Sequence, residues 1–320
     1  MLHYAGILLI SIFLAINMGA SGFSISFAPS YGSNILKRQY AIVLYTIFVL
    51  LGAYLIGGRV VETLSHKLIK NFSSPLSGFI ILFTSTITMF IANILKIPQS
   101  TSFVTVGSFT GAGLFFDQYS FNKLGEIFFV AIIFSLLAFI VTYLIMKQFY
   151  PISYKNYKIY SYITNSNKLK KFIVITDCYS SFAVGTNNVA NVVAPLIVTG
   201  ANLKPSILLL LIAPLFGIGG ILFGKGVINT ISKDIVPLGE ISAGIVSLVT
   251  SSFVIISSLL GLPTPYVQFT TFSVFAISVV KDGFLRTSKK NVVKRILIIW
   301  ILIPIIAMMI SYVLHYLLIK

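Results

Sequence analysis

Polar positions in this chain are gathered between long apolar runs instead of alternating with apolar ones. Nearly uninterrupted apolar stretches cover residues 5–20, 41–58, 76–95, 127–146, 172–184, 207–223, 241–260 and 296–318. About 20 apolar residues in helix cross a bilayer core, and a backbone in lipid must satisfy its own hydrogen bonds, so each run predicts a membrane helix. Shorter apolar pieces at 102–116, 189–199 and 266–280 are too brief or too interrupted for a full crossing. The pattern predicts an all-α integral membrane protein of roughly 10–11 membrane segments, some of them broken or re-entrant.

The pattern is also stated twice. Gly19-Ala20-Ser21-Gly22 with Pro29 returns as Gly185-Thr186-Asn187-Asn188 with Pro195. Gly57, Val60, Thr63 and Ser65 return as Gly224, Val227, Thr230 and Ser232. Leu95-Lys96-Ile97-Pro98 with Thr105 returns as Leu260-Gly261-Leu262-Pro263 with Thr270. The offsets are 166, 167 and 165 residues, so order and spacing are both kept. An apolar chain of two such halves has the organisation of a secondary transporter. The halves are read as residues 1–147 and 172–320, joined by a linker at 148–171.

Composition supports the membrane reading. Residues of the AVILMFWYC set make up 57% of the chain and charged residues 9%, where a soluble domain carries roughly a quarter charged residues. The mean hydropathy is +0.98. The first apolar run lacks a basic start and leads through Asn17 into a repeated motif, so it is read as a span and not as a cleaved leader. Cys178, the single cysteine, excludes an internal disulfide framework.

A net charge of +16 raises nucleic acid as a partner, but the placement of the positives argues against it. Lys155, Lys158, Lys168, Lys170 and Lys171 crowd the linker with no acid, which assigns it to the cytoplasm beside anionic lipid headgroups. Residues 281–295 carry Lys281, Arg286, Lys289, Lys290, Lys294 and Arg295 against Asp282, whereas the corresponding 116–126 holds Asp117, Lys123 and Glu126. An earlier pair of loops, 59–70 and 225–240, shows the same contrast. Opposite charge bias in matching loops predicts that the two repeats are inverted in the membrane.

Inverted repeats place a site near the bilayer midplane, where interrupted helices meet. The small and amide residues of the first block (Asn17, Gly19, Ser21, Gly22) and of the second (Asn187, Asn188, Asn191) are expected to loosen their helices there. Ser100, Thr101 and Ser102, just past Pro98, add donors at a new helix N-terminus. Helix N-termini with free N–H groups favour an anion. The competing role of such residues is close helix packing.

The second block, Gly185-Thr-Asn-Asn-Val-Ala-Asn191, resembles a signature of the inorganic phosphate transporter (PiT) family. Leu260-Gly-Leu-Pro263 and Ile97-Pro-Gln-Ser-Thr-Ser102 resemble its other repeated blocks, and the likeness covers nearly the whole chain. Within the family, Asn17-x-Gly-Ala-Ser-Gly22, the Asn-Asn-Val-Ala-Asn block and Pro263-Thr-Pro-Tyr-Val-Gln268 are most similar to the CysP-type sulfate permeases. The resemblance implies a homodimeric symporter for a tetrahedral oxyanion, and it adds Gln268 to the substrate-binding candidates. It also shows departures. The aspartates implicated in sodium binding by phosphate carriers fall on Gly22 and Asn188, a glutamate falls on Ser247, an asparagine on Ile25, and the histidines on Phe103 and Gln268.

Those departures fit sulfate. Phosphate keeps a proton near neutral pH and can donate to a buried carboxylate, whereas sulfate only accepts hydrogen bonds. A site of amides, hydroxyls and backbone N–H groups suits an acceptor-only dianion. Uptake into a negative interior works against about 2.3 kcal/mol per charge per 100 mV, so cations must accompany it. The resemblance puts the proton ahead of sodium as that cation. Asp177, alone among the acids in lying inside an apolar run, is the proton-coupling candidate, while His3, His66 and His315 are poor relay candidates. Phosphate, thiosulfate or molybdate uptake and a passive anion channel are the alternatives. No metal cluster, activated nucleophile or phosphate loop points to an enzyme, and no cofactor or metal is expected.

Overall fold

The computed structural model describes residues 2–32, 35–69, 74–95, 99–150, 166–223 and 238–319. These fold into helices α1 (Leu2–Gly32), α2 (Arg38–Lys67), α3 (Pro75–Ile94), α4 (Thr101–Phe115), α5 (Phe121–Phe149), α6 (Ser166–Asn188), α7 (Ala190–Val198), α8 (Pro205–Phe223), α9 (Glu240–Leu259), α10 (Tyr266–Asp282), α11 (Phe284–Lys289) and α12 (Asn291–Ile319). Eight membrane-length apolar helices lie among the described residues, with α4 and α10 as shorter ones beside them. The protein is a multi-pass integral membrane protein built almost wholly of helix.

Local chemistry sets several boundaries. Ser74 precedes Pro75 and accepts the Ser77 N–H, so α3 starts with a capped first turn and a proline where no N–H is needed. Ser100 and Ser120 cap α4 and α5 in the same way, accepting the N–H groups of Phe103 and Lys123. Gly261, with φ +75°, reverses the chain between α9 and α10, a conformation open to glycine at little cost. Lys290 closes the turn after α10 on Asp282 at 2.7 Å and holds that carboxyl below its usual range.

The burial pattern is that of a membrane protein. Phe129, Ile132, Ile140, Leu144, Ile301 and Leu317 point outward, while Ser, Thr and Asn side chains are drawn into the interior. The apolar window of α6 and α7 is 89% buried, against 28% for α5 and 33% for α12, so α6 is the central helix. It packs on α1, α2 and α9.

The helices recur in order across the two halves: α1, α2, α3, α4 and α5, then α6, α8, α9, α10 and α12. α3 and α9 both have 20 residues, and α5 and α12 both have 29. Packing partners are exchanged reciprocally. α1 packs on α8 and α6 on α2, while α4 packs on α12 and α10 on α5. The same reciprocity reaches single atoms. A Cβ added to Gly19 would overlap the Phe216 carbonyl, one on Gly185 the Val49 carbonyl, one on Gly52 the Phe182 carbonyl, and one on Gly219 the Ile16 carbonyl. Each crossing thus puts backbone against backbone, which only a missing side chain allows.

Four expectations change. The first motif does not break its helix, because α1 runs unbroken from Leu2 to Gly32; its small residues serve the tight crossing with α8. The second motif is interrupted only at Val189, which keeps φ −64° and ψ −33°. The basic stretch from Arg59 is helix up to Lys67, with π-turns at Ala53–Gly57 and Thr63–Lys67. Glu62 pairs with Lys67 at 2.9 Å there, and Arg59 donates to the Leu259 carbonyl at the end of α9. Similarly α6 begins at Ser166, so Lys168, Lys170 and Lys171 ride on a helix end and not in a linker. Linker residues 151–165, the block from Gly224 to Ser232 and Pro98 lie outside the described residues.

Candidate functional site

Two helical hairpins, α3–α4 and α9–α10, bring their tips to one residue of the central helix. From the first tip, the Ser102 hydroxyl donates to Asn187 Oδ1 at 2.8 Å. From the second, Thr264 N–H donates to the same Oδ1 at 3.3 Å. Asn187 Nδ2 faces three acceptors of that second hairpin: Ser258 Oγ at 3.1 Å, the Leu262 carbonyl at 3.3 Å and Thr264 Oγ1 at 3.3 Å. The Thr186 hydroxyl also donates to Ser258 at 3.1 Å, and Asn191 Nδ2 donates to Ser102 at 3.0 Å. Asn187 therefore latches the two halves at a point with no solvent exposure.

The physical consequence is electrostatic. α4 and α10 begin at these tips, so two positive dipole ends lie beside Asn187. No carboxylate touches the cluster among the described residues. Two further acceptors nearby in sequence, Asn188 Oδ1 and Asn191 Oδ1, are buried without a hydrogen-bond partner. Buried amides in that condition are costly unless something binds them.

The remaining sequence candidates divide. Ser100 and Thr101 lie buried at the start of α4, the first as its cap. Asn17 is buried on α1, where its Oδ1 accepts from Asn93 Nδ2 at the end of α3 and its own Nδ2 has no partner. Ser21 is buried on the same helix. Gly19 serves the α1–α8 crossing, and its carbonyl accepts the Tyr45 hydroxyl at 3.1 Å. Gly22 has no room for a side chain: the Tyr45 hydroxyl and, at 3.0 Å, Val184 Cγ1 fill the place of a Cβ. Gln268 is not part of the Asn187 cluster. It lines a small neighbouring pocket with Gln99, Ser100, Phe103 and Trp300, into which α12 presents Pro304.

Asp177 is fully buried about 15 Å along α6 from Asn187, at 1.5 Å per residue. Its Oδ2 accepts the Ser30 N–H at 3.1 Å, and its Oδ1 has no partner. His315 is not at a loose terminus but sealed inside α12 against Phe115 and Phe116, with Nδ1 on the Ser311 carbonyl at 2.7 Å.

Sequence reasoning missed Ser258, Thr264, Thr186 and Asn93. Thr264 directly follows the repeated Leu-x-x-Pro block, and Ser257-Ser258 is a polar pair ending an apolar span, so both carried a signal. Asn93 carried none apart from being an amide near a span end.

The profile of the phosphate transporter family matches residues 18–311. The chain is 34% identical over 316 residues to a sulfate permease, CysP, of Bacillus subtilis strain 168, which covers 98% of this chain and 87% of that one. It is 31% identical over 146 residues to the sodium-dependent phosphate transporter 1-A of Danio rerio, across 41% of this chain and 22% of the other. Among solved structures, a sodium-dependent phosphate transporter superposes with a TM-score of 0.83 over 99% of both chains at 18% identity, a likeness of fold.

Proposed function

Since the chain belongs to the phosphate transporter family, we propose that this anion transporter imports sulfate by proton symport across the cell membrane. The observation that carries the proposal is the Asn187 junction. It gathers two helix N-termini around hydroxyl, amide and N–H groups and, among the described residues, offers no carboxylate. Such a site matches a dianion that accepts hydrogen bonds and donates none, and it gives a protonated phosphate no acidic acceptor. The relationship to the Bacillus subtilis sulfate permease supports the same choice.

In this proposal the repeats are inverted, with sulfate bound between the hairpin tips near the midplane. Ser102 and Thr101 at the start of α4 bind from one half, and Thr264 from the other. Asn187 closes the two tips over the ion. The proton rides on Asp177, since a buried carboxyl can be charged or neutral and so carry one charge through the membrane. Sodium is the less favoured cation, because Tyr45 occupies the space a carboxylate at position 22 would need. A homodimer belongs to the same proposal on the family resemblance alone.

Labelled sulfate uptake into proteoliposomes tests this directly. An imposed inward proton gradient is expected to drive accumulation that an uncoupler abolishes and phosphate competes with weakly. Asp177→Asn is expected to remove the dependence on the proton gradient. Accumulation driven only by sodium would overturn the coupling, and stronger uptake of phosphate than of sulfate would overturn the substrate.

A further inference from the structure

A second polar seam runs between the halves, separate from the Asn187 junction. Ser180, three residues after Asp177 on α6, donates from Oγ to Ser26 Oγ of α1 at 3.1 Å. The same Ser180 oxygen is hydrogen-bonded to Tyr266 Oη of α10, and Tyr266 Oη meets Ser251 Oγ of α9 at 3.0 Å. Four hydroxyls on four helices are thus joined in one row, all of them buried.

The row points at Asp177. Ser26 and Ser30 are one turn apart on α1, as Ser180 and Asp177 are on α6, so the Ser26–Ser180 and Ser30–Asp177 contacts stack about 5 Å apart on one seam. At that end two buried atoms lack a partner: Ser30 Oγ and Asp177 Oδ1. The rest of the row is satisfied, and unpaired polar atoms of this kind mark where a mobile proton or a bridging water is accommodated.

We propose that Tyr266 closes a hydroxyl relay, Ser251–Tyr266–Ser180–Ser26, that carries protons to and from Asp177 through the Ser30 hydroxyl. This rests on the proton-symport reading above and names the path the proton takes. Each hydroxyl both donates and accepts. A proton arriving at Ser251 forms one new O–H bond there while the O–H bond toward Tyr266 passes on, and so along the row. The last two transfers go through the unpaired Ser30 hydroxyl, which takes the proton when its side chain turns toward Ser26 and delivers it when turned toward Asp177, where the O–H bond of the carboxyl forms. No group gains or loses charge except the donor at the far end and Asp177, and rotation of the hydroxyls resets the row.

Tyr266 also explains how proton movement would be tied to sulfate. It is the first residue of α10, two positions beyond Thr264, which Asn187 binds. Its backbone moves with the hairpin tip at the anion site, while its hydroxyl reaches along α6 toward Ser180. Undocking the tip to release sulfate would draw Tyr266 away and open the row, so Asp177 exchanges protons only in the docked arrangement.

Other titratable groups around Asp177 do not substitute for this path. Cys178 is its neighbour on α6, and Tyr45 of α2 is committed to the Gly19 carbonyl. Glu240 of α9, Arg38 of α2 and the α6 lysines sit at helix ends. Asp177 has no ion-pair partner among the described residues.

The test separates sulfate movement from proton movement in proteoliposomes. Sulfate counterflow, which needs no net proton transfer, is read with labelled sulfate; sulfate-driven proton uptake is read with an internal pH dye. Tyr266→Phe keeps the ring and removes the hydroxyl, and Ser180→Ala breaks the row at a second point. Both are expected to keep counterflow within about twofold of the unmodified protein while proton uptake falls by at least about tenfold. Undiminished proton uptake in both variants overturns the relay, and so does loss of counterflow and proton uptake together, which would make Tyr266 a structural or binding residue. If the unmodified protein moves no protons with sulfate, the symport reading itself fails; if Asp177→Asn abolishes proton uptake and Tyr266→Phe does not, only the relay fails.

Discussion

Asn187 shows how much one amide can do when two chain segments meet on it. Its oxygen accepts twice and its nitrogen faces three acceptors, so the side chain is fully committed in the closed arrangement. Truncation would leave Ser102 and Thr264 facing each other with buried groups unpaired, at about 1–3 kcal/mol per group. Asn187→Ala is therefore expected to lower sulfate uptake about tenfold or more at an unchanged level of protein in the membrane, measured as initial rates against immunoblotted protein. Wild-type rates would move the site elsewhere. Gly22 carries the opposite lesson: a residue suspected of binding is small because Tyr45 needs its space.

At the scale of the helix, small residues were ambiguous between loosening a span and letting two spans approach, and in α1 the second effect won. Glycines at positions 19, 185, 52 and 219 each sit under a carbonyl of the crossing helix. A methyl there must push backbone from backbone, where no side chain can turn aside, at about 1–3 kcal/mol. Gly185→Ala should accordingly lower the melting temperature in detergent, whereas Gly125→Ala, with open space around its Cβ, should leave it unchanged or raise it slightly. Equal melting temperatures would mean that the crossing relaxes freely. The same scale explains why the stretch from Arg59 to Lys67 is helix and not loop: its charges are met by Glu62 and the Leu259 carbonyl, so they need no turn to reach water.

Across the whole molecule the two halves are interlocked and do not stand side by side. α1 packs on α8 and α2 on α6, and each hairpin's second arm packs on the long final helix of the other half. Neither half can bury its own inner surface alone. Segments 1–150 and 166–320, expressed separately, are expected to be unstable, and expressed together to co-purify through a tag on one of them. A half that is monodisperse by itself would contradict the interlocking. Two hairpin tips on one asparagine also make opening of the site a motion between halves, the kind of bistable element a carrier requires.

Membrane residence, the long apolar helices and the family were all present in the linear order, because hydropathy and spacing are properties of neighbours along the chain. So were Asn187, Ser102 and Asp177 as residues of interest, each a polar group where a polar group is costly. Which of the small residues pack and which remain near the Asn187 junction was decided only by the fold. That choice depends on what lies across each helix: a carbonyl over Gly19, a tyrosine hydroxyl over Gly22, a second hairpin tip over Asn187. Those partners come from 23 to 197 residues away in sequence, and no local pattern reports what another segment will bring.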